Sequence, residues 1–289
     1  MTVDPFVDHR SLLFTVAYEM LGSAADAEDI VQETWLRWSD VDQATIADPR
    51  AYLVTVVTRQ SLNRLRSLAR RREDYVGEWL PEPLLTTPDV ADDVELAENV
   101  SIAMLTVLET LAPTERAVFV LREVFDLSYD EIASAIGKSA AAVRQIAHRA
   151  RNHVSARRPR MQVNRAEQQQ VTERFLAAVA GGDMQALLTV LAPDVVLVAD
   201  GGGIVNAVRR PITGATGVAR LLGGLARVAP DAAVEVGLVN GAPGGRIIVG
   251  GQLDTVVGVT IEDGLITRIY AIRNPEKLIR FDEAVSLDR

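Results

Sequence analysis

The sequence predicts a multi-domain protein in which two small all-α domains precede one α+β domain. Apolar residues recur at helical spacing through residues 6–73 and again through 90–155. The segment YVGEWLPEPLLTTPD at 75–89 interrupts that pattern with three prolines, which a continuous helix does not accommodate. From about residue 165, two short helical patterns are followed by apolar runs of strand length. The 289 residues are enough for two or three such domains.

Composition and charge exclude several classes of protein. The chain has no cysteine, which rules out a disulfide framework and fits a reducing cytoplasm. No N-terminal signal segment is evident, and apolar runs such as VVLVA are too short to span a membrane, so we expect a cytoplasmic protein with no membrane contact. The net charge of -9 argues against indiscriminate nucleic-acid binding. Residues 1–49 hold two basic and ten acidic residues, whereas 50–73 hold seven arginines and one acid, which suggests two different partners.

The first predicted domain, residues 1–73, consists of three helices. The inner face of the first helix is formed by Phe6, Leu13, Phe14, Ala17 and Leu21, and Gly22 ends it. In the second helix, AADAEDIVQETWLRW, the expected apolar face is Ile30, Val31, Trp35 and Leu36. The third helix is predicted from about Arg50 to Arg72, after Asp48-Pro49. Beyond this domain we expect a linker at 74–89, a second helical domain at 90–156, another linker at 157–164 and the α+β domain at 165–289.

The segment LSYDEIASAIGKSAAAVRQIAHRAR, at 127–151, predicts a helix-turn-helix. Ser128 and Glu131 form a capping-box pattern, Gly137 lies at the turn, and Ser139 can cap the second helix. The buried face of that helix is predicted to be Val143, Ile146, Ala147 and Ala150. Its outward side chains are then Arg144, Gln145, His148, Arg149 and Arg151, residue types that read base edges and hold phosphates in a major groove. The alternative is a solvated amphipathic helix pair; a metal site at His148 lacks companion ligands.

The α+β domain is predicted from two helices, one at 165–182 and a shorter one at Gln185 to Leu191, followed by strands. The strand candidates are VVLVA, AVEVGLV, RIIVGG, LDTVVGVTIE and LITRIYAIR, with a hairpin turn at Glu-Asp-Gly 262–264. His9, His148 and His153 all precede this domain, so it has no His–Asp pair for catalysis. Asp200, Asp254 or Tyr270 remain as lone acid or base candidates, and we expect no catalytic residues, no metal and no cofactor.

The helical half resembles a family of transcription factors. DAEDIVQETWLRW followed by DPRAYLVTVVTRQSLNRLRSLARRR resembles region 2 of an extracytoplasmic-function (ECF) sigma factor, and the helix-turn-helix resembles region 4. The resemblance implies core RNA polymerase, through its β′ and β subunits, and promoter DNA as partners. It implies that the polymerase is bound by Asp26, Glu28, Asp29, Gln32, Glu33 and Trp35. It implies contacts to the opened −10 strand by Arg59, Gln60, Asn63, Arg64 and Arg66, and to the −35 element by Ser139, Arg144, Gln145, His148, Arg149 and Arg151.

The linker and the last domain extend this resemblance over the whole chain. YVGEWLPEP looks like the linker of the sigma-factor subgroup that continues into a SnoaL-like domain of cone-shaped α+β fold. DGGG at 200–203 and NPEKL at 274–278 resemble that subgroup's marks, although Ile204 stands where a basic residue is expected. The resulting hypothesis is that the linker docks on this domain and thereby tunes promoter binding. The proposed contacts are Trp79, Leu80 and Pro81 on the linker with Asp200, Gly201, Gly202, Gly203, Asn274 and Pro275 on the domain.

Two other functions stay open on the sequence. One is a stand-alone, ligand-responsive helix-turn-helix regulator, against which the acidic 26–33 helix with Trp35 argues, because such a regulator does not need it. The other is a SnoaL-like enzyme with helical appendages, which the missing histidine disfavours. A small apolar ligand in the cone is a further possibility, because folds of this kind leave a pocket.

Overall fold

The computed structural model describes residues 4–72, 75–158 and 164–289. The helices are α1 Pro5–Leu21, α2 Ala24–Ser39, α3 Pro49–Arg72, α4 Pro88–Asp92, α5 Val94–Val100, α6 Ile102–Leu108, α7 Pro113–Phe119, α8 Tyr129–Ile136, α9 Ala140–Ser155, α10 Arg165–Gly181, α11 Met184–Val190, α12 Ala215–Val228 and α13 Pro275–Leu278. The strands are β1 Leu85–Thr86, β2 Leu191–Asp200, β3 Ile212–Thr213, β4 Ala233–Val239, β5 Ala242–Val249, β6 Gln252–Glu262, β7 Leu265–Ile272 and β8 Ala284–Val285. A 3₁₀ turn at Gln43–Thr45 and a π-helical turn at Val120–Val124 complete the regular structure.

The chain forms two compact units. The first contains residues 1–73, 104–158 and 286–289, and the second contains 74–103 and 159–285. The proline-rich segment thus belongs to the same unit as the C-terminal domain. The predicted junction at 73–74 and most of the predicted linker 157–164 lie outside the described residues, as do the side chains of Arg70, Arg71 and Arg72.

Helix α1 has the predicted amphipathic pattern. Asp4 accepts a hydrogen bond from the Phe6 amide, Pro5 occupies the first turn, and the helix ends at Leu21, before Gly22. The predicted inner residues Phe6, Leu13, Phe14, Ala17 and Leu21 are all buried. Burial of this face against α2 and α3 gives the first unit a hydrophobic core, in which each large side chain contributes about 1.5–3 kcal/mol.

Helix α2 corrects one prediction. Ile30 and Val31 are buried as expected, but Trp35 is 47% exposed and Leu36 is 56% exposed. The buried aromatic is Trp38, whose indole Nε1 donates a hydrogen bond of 2.9 Å to Asp4. The reason is helical geometry: Trp38 lies eight residues after Ile30 and shares its face, whereas Trp35 is rotated away from it.

The second unit is built on one eight-stranded sheet with the strand order β3-β2-β7-β6-β5-β4-β1-β8. Strands β2 and β7 run parallel, whereas β7, β6, β5 and β4 form an antiparallel meander. The predicted hairpin is confirmed, because Glu262 pairs with Leu265 across Asp263 and Gly264, which both have positive φ. The hydrophobic core between the helices and one face of the sheet includes Phe175 of α10 and Leu222 of α12.

Besides the short elements α13, β3 and β8, two parts of this unit were absent from the prediction. The first is α12, whose buried residues Val218, Ala219 and Leu222 have helical spacing, although Gly223 and Gly224 weaken the pattern in sequence. The second is β1, where linker residue Leu85 pairs with Val239 of β4. Two-residue strands such as β1 carry too little pattern to be recognised, because cross-strand pairing alone defines them.

The other face of the sheet has its own hydrophobic core, and the linker contributes to it. Leu80 is 1% exposed and belongs to a cluster with Ile102, Tyr270 and Phe281. This explains why the proline-rich segment is apolar: its side chains cover a sheet rather than face water. Among the described residues, no helix combines the length and apolar character required to cross a bilayer.

Candidate functional site

The helix-turn-helix has the predicted local geometry. Ser128 and Glu131 form both hydrogen bonds of a capping box at the start of α8. Gly137 follows α8 with a φ of 69°, and the Ser139 side chain accepts a hydrogen bond from the Ala142 amide at the start of α9. The predicted inner face of α9 is confirmed, since Val143, Ile146, Ala147 and Ala150 are all buried.

The outward face of α9 carries the polar residues expected of a recognition helix. Exposed side chains on it are Arg144, Gln145, His148, Arg149 and Arg151. Arg151 forms a 2.7 Å ion pair with Glu123, which raises the pKa of its guanidinium, and Arg149 lies 3.7 Å from Glu115. Arg144 lies over the Tyr129 ring, 5.7 Å from its centroid. The cationic face is thus partly neutralised by the protein's own acids.

The predicted −10 residues on α3 have partners inside the first unit. Arg59 donates hydrogen bonds to the carbonyls of Ala135 (2.9 Å) and Ser134 (2.8 Å) at the end of α8. Gln60 is buried and accepts a 2.7 Å hydrogen bond from Thr34. Binding of either side chain to an unpaired base therefore requires these interactions to be exchanged.

The other three −10 candidates divide between an ion pair and the surface. Arg64 binds Asp26 through Nε at 2.7 Å and lies 3.7 Å from Asp29, so two predicted polymerase residues neutralise it. Asn63 and Arg66 are exposed and hydrogen-bonded to each other at 3.4 Å.

Helix α2 presents a mixed acidic and apolar surface. Asp29, Gln32, Glu33 and Trp35 are exposed, while Asp26 and Glu28 are partly covered. Glu28 forms a 2.7 Å ion pair with Arg10. An exposed tryptophan surrounded by carboxylates is typical of a surface that binds a partner protein.

A buried charge cluster in the first unit was missed by the sequence analysis. Arg116 of α7 is 1% exposed; it donates to the Glu19 carbonyl at 2.9 Å and pairs with Glu109 at 2.6 Å. The Glu19 carboxylate is fully buried, and its two oxygens have no hydrogen-bond partner among the described residues. Burial raises the pKa of Glu19 to about 8, opposed by the charge of Arg116, and burial lowers the pKa of Arg116 to about 9.

In the second unit, the linker is held by one buried carboxylate. Asp200, at the end of β2, is 0% exposed. Its Oδ1 accepts a hydrogen bond from the Tyr75 hydroxyl at 2.5 Å, and its Oδ2 accepts one from the Leu80 amide at 2.9 Å. The Lys277 ammonium donates to the same Oδ2 at 2.7 Å. The carboxylate therefore joins two points of the linker to α13.

Lys277 completes this arrangement, which we call the linker clamp: Tyr75, Trp79 and Leu80 of the linker with Asp200, Asn274 and Lys277 of the domain. The Lys277 Nζ donates to the Leu80 carbonyl at 2.5 Å and lies 3.2 Å from the centroid of the Trp79 ring. Tyr75 packs edge-on against Trp79, with ring centroids 4.7 Å apart. Burial and the neighbouring Asp200 raise the pKa of the Tyr75 hydroxyl, so it remains a donor.

The glycine run at 201–203, after β2, and Asn274, after β7, meet at this clamp. The Gly202 amide donates to Asp200 Oδ1 at 3.0 Å, and the Asn274 side chain donates to the Tyr75 hydroxyl at 2.9 Å. Gly202 has a φ of 63°, and a Cβ there would overlap the Asn274 side-chain amide. Gly203 has a φ of 73°, and a Cβ there would press against the Val76 side chain. Larger residues would not fit, which explains the glycine run. Pro81 is buried, while Gly201 packs against Val205 and Pro275 is exposed.

A second anchor fixes the linker four to six residues after Leu80. The Leu84 amide donates to Asn240 Oδ1 at 2.8 Å, and the Asn240 amide group donates to the Val100 carbonyl at 2.8 Å. The Gly241 amide donates to the Thr86 hydroxyl at 2.9 Å. Neither this anchor nor Tyr75 and Lys277 were among the predicted contacts. A usable signal existed: Lys277 is one of two lysines in a chain whose other 28 basic residues are arginine.

The catalytic candidates are occupied by structural interactions. Asp200 holds the linker, as described above. Asp254 forms a bidentate pair with Arg273, at 2.7 and 3.1 Å; burial opposes its ionisation, but hydrogen bonds from Arg273 and Thr255 lower its pKa overall. Tyr270 is 2% exposed, and burial raises its pKa. Beside Asp254, a cavity of about 540 Å³ opens between α10, α12 and the sheet.

Comparison with known proteins supports the two sigma regions and the whole-chain organisation. Sigma-70 region 2 matches residues 6–71, and Sigma-70, region 4 matches residues 101–154. The ECF RNA polymerase sigma factor SigJ of Mycobacterium tuberculosis is 40% identical, over 96% of this chain and 93% of its own length. Its probable ECF RNA polymerase sigma factor SigI is 36% identical, over 93% and 92%.

A solved structure agrees with these relatives. The crystal structure of Mycobacterium tuberculosis SigJ aligns with a TM-score of 0.76 at 37% identity, covering 94% of this chain and 96% of that one. Sigma factors are non-enzymatic initiation factors, so neither the enzyme nor the stand-alone regulator is favoured. The chain belongs to the extracytoplasmic-function sigma factors, promoter-specificity subunits that bind core RNA polymerase and direct initiation at −35/−10 promoters, and it carries an α+β domain after its two sigma regions.

Proposed function

We propose that the SnoaL-like domain of this sigma factor regulates promoter recognition by holding the linker through the linker clamp. The observation that carries the proposal is the buried Asp200–Lys277 pair, which binds both the amide and the carbonyl of Leu80. A buried ion pair costs desolvation unless its remaining hydrogen-bonding groups are satisfied. Here the linker backbone supplies part of that satisfaction, so the clamp favours the docked linker.

The linker matters for promoter recognition because it joins the two DNA-binding regions. Region 2 meets the −10 element and region 4 meets the −35 element of the same duplex, at a fixed spacing. A docked linker limits the separations and orientations that the two regions can sample. The domain therefore changes the free energy of promoter binding without touching DNA, which is an allosteric effect.

The DNA and polymerase contacts proposed for each region are those that the sequence resemblance implies. For the −35 element they are Ser139, Arg144, Gln145, His148, Arg149 and Arg151 of α9 and its cap. For the −10 strand they are Arg59, Gln60, Asn63, Arg64 and Arg66 of α3. For the coiled coil of the polymerase β′ subunit they are Asp26, Glu28, Asp29, Gln32, Glu33 and Trp35 of α2. Acting with the polymerase, the protein works in the cytoplasm, and a small apolar ligand in the domain is an additional input.

The proposal is tested by loosening the clamp from both sides. Tyr75→Phe removes the hydroxyl that joins Asp200 and Asn274, and Asp200→Asn weakens the pair with Lys277. Asp231→Asn is the matched control, because it makes the same chemical change at an exposed position of the same domain. Each full-length protein is assembled with core RNA polymerase on a promoter selected in vitro with the unmodified chain. Transcript yield and protease cleavage within residues 75–87 are then measured.

We expect both clamp variants to raise linker cleavage and to shift transcript yield several-fold in the same direction. Asp231→Asn should change neither quantity. Circular dichroism and retained polymerase binding establish that the variants are folded, and Tyr75→Phe is the milder change if Asp200→Asn unfolds the domain. Faster linker cleavage with unchanged transcription would overturn the regulatory role of the clamp.

A further inference from the structure

The cavity of the SnoaL-like domain has the dimensions and lining of a small-molecule site. Its volume of about 540 Å³ lies within the range of sites that enclose drug-sized ligands. The lining is mostly apolar, with Phe175 and Val179 from α10 and Ile269 from β7. Leu225 and Val228 of α12 also line it, although they are 37% and 82% exposed. Exposed apolar side chains at this position form an entrance that an apolar molecule can cross.

One end of the cavity is polar but electrically neutral. Arg273 and Asp254 supply its charged groups, and they neutralise each other through two hydrogen bonds. Arg273 also donates to the Asn206 carbonyl at 2.5 Å. A charged ligand would have to break this pair or remain uncompensated in an apolar space, and both are costly. A hydroxyl, ketone or amide can hydrogen-bond there without that cost.

The cavity and the linker clamp share two chain segments. On β2, Ala199 lines the cavity while the next residue, Asp200, holds the linker. After β7, Arg273 lines the cavity while the next residue, Asn274, binds Tyr75. Neighbouring side chains of an extended segment point to opposite sides. Each segment therefore has one side chain at the cavity and the next one at the linker clamp. The Arg273 amide donates to the Asp200 carbonyl at 2.7 Å, which ties the two segments together.

The loop from Asp200 to Ala207 provides a further connection. Its first end is bound at the clamp, where the Gly202 amide donates to Asp200. Its other end, at Asn206 and Ala207, lines the cavity and accepts the hydrogen bond from Arg273. A ligand that moves Arg273 or this loop must therefore disturb the residues that hold Tyr75 and Leu80.

We propose that the cavity binds a neutral, mainly apolar small molecule with one hydrogen-bonding end near Arg273 and Asp254, and that its binding changes how firmly the clamp holds the linker. This inference rests on the proposed function, since the clamp is its output. It adds the class of ligand and the route by which that ligand acts. Because a ligand shifts an equilibrium only through different affinities for two states, binding and linker release must be reciprocally coupled.

The test uses two probes that share an apolar ring system and differ in charge. N-phenyl-1-naphthylamine is neutral, and 8-anilinonaphthalene-1-sulfonate carries a sulfonate; both fluoresce in apolar sites. Fluorescence titration is performed on the full-length chain and on Ala271→Leu, which narrows the cavity at β7. Val236→Leu, on the exposed surface of β4, controls for added apolar area. Cleavage within residues 75–87 is measured with and without saturating neutral probe.

We expect the neutral probe to bind saturably and the anionic probe to bind at least about tenfold more weakly. The affinity for the neutral probe should fall by a similar factor in Ala271→Leu and stay unchanged in Val236→Leu. The neutral probe should change linker cleavage several-fold in the unmodified chain. No saturable binding, or equal binding of both probes, would overturn the assigned ligand class. Binding without a change in cleavage would overturn the coupling. In either case Tyr75→Phe and Asp200→Asn still test the clamp itself, so the two proposals fail separately.

Discussion

At the scale of single residues, the chain buries charge in two different ways. Asp200 and Lys277 form a buried pair whose remaining hydrogen-bonding groups are used by the linker backbone. Glu19 is buried beside Arg116, but its carboxylate accepts no hydrogen bond from the described residues. The first arrangement stabilises one docked segment, whereas the second leaves a carboxylate that is most stable when protonated.

A glutamate side chain that is exposed to water has a pKa of 4.5, whereas buried Glu19 has a pKa of about 8. The contribution of Glu19 to stability therefore depends on pH. An acid whose pKa is raised on folding contributes its stability in full below about pH 4.5 and loses it as the pH rises through about 8. Glu19→Gln keeps the shape and cannot ionise. We expect the free energy of unfolding of this variant to rise relative to that of the unmodified protein between pH 5 and pH 8, by up to about a few kcal/mol. Its thermal midpoint should rise relative to the unmodified protein over the same range. A difference independent of pH, measured by calorimetry, would contradict this.

At the scale of elements, helices and linker differ in how they obtain their structure. Helix α9 has its cap, its buried stripe and its polar face within its own sequence. The linker has no such periodicity; it becomes ordered because Leu85 pairs with β4 and Leu80 enters the core beneath the sheet. Helix α2 combines both features: its local sequence pattern determines the helix, whereas its exposed Trp35 is buried only when core RNA polymerase binds, according to our proposal.

Trp35→Ala tests the proposed polymerase surface on α2. The side chain is 47% exposed, so its loss should leave the fold intact, and we expect binding to core RNA polymerase to weaken about tenfold, as for an aromatic interface residue. Val7→Ala is the control, since Val7 is an apolar side chain of the same unit that is 60% exposed. Affinity is measured by fluorescence anisotropy of labelled protein. Equal polymerase affinities of both variants would show that Trp35 does not contribute to the interface.

At the scale of the whole molecule, the two compact units separate most of the two sigma regions from the domain that we propose to be regulatory. Regions 2 and 4 pack in the first unit, where Arg59 of α3 binds the end of α8. The second unit contains the linker together with the C-terminal α+β domain. The segment that joins the two sigma regions is therefore folded as part of the same unit as the C-terminal domain.

Removal of that domain tests this division. A chain of residues 1–164 loses the sheet that covers Leu80 and Leu85, so we expect its linker to be cleaved much faster than in the full-length protein. We also expect both forms to co-purify with core RNA polymerase, because in our proposal the domain acts after assembly, on promoter recognition. Co-purification of the truncated chain alone would instead mean that the domain masks the polymerase-binding surface.

The sequence by itself determined what depends on local order: the sigma-type helices, the capped helix-turn-helix, the hairpin at 262–264 and most strands of the last domain. Periodicity, caps and turn residues act over a few positions, so they can be read directly. Only the tertiary structure decided that Arg59 and Arg64 have protein partners, that Lys277 joins the clamp, and that residues 85–86 form a strand. These features depend on groups far apart in the chain, whose meeting is set by the path of the backbone and by the cost of leaving buried charge unpaired.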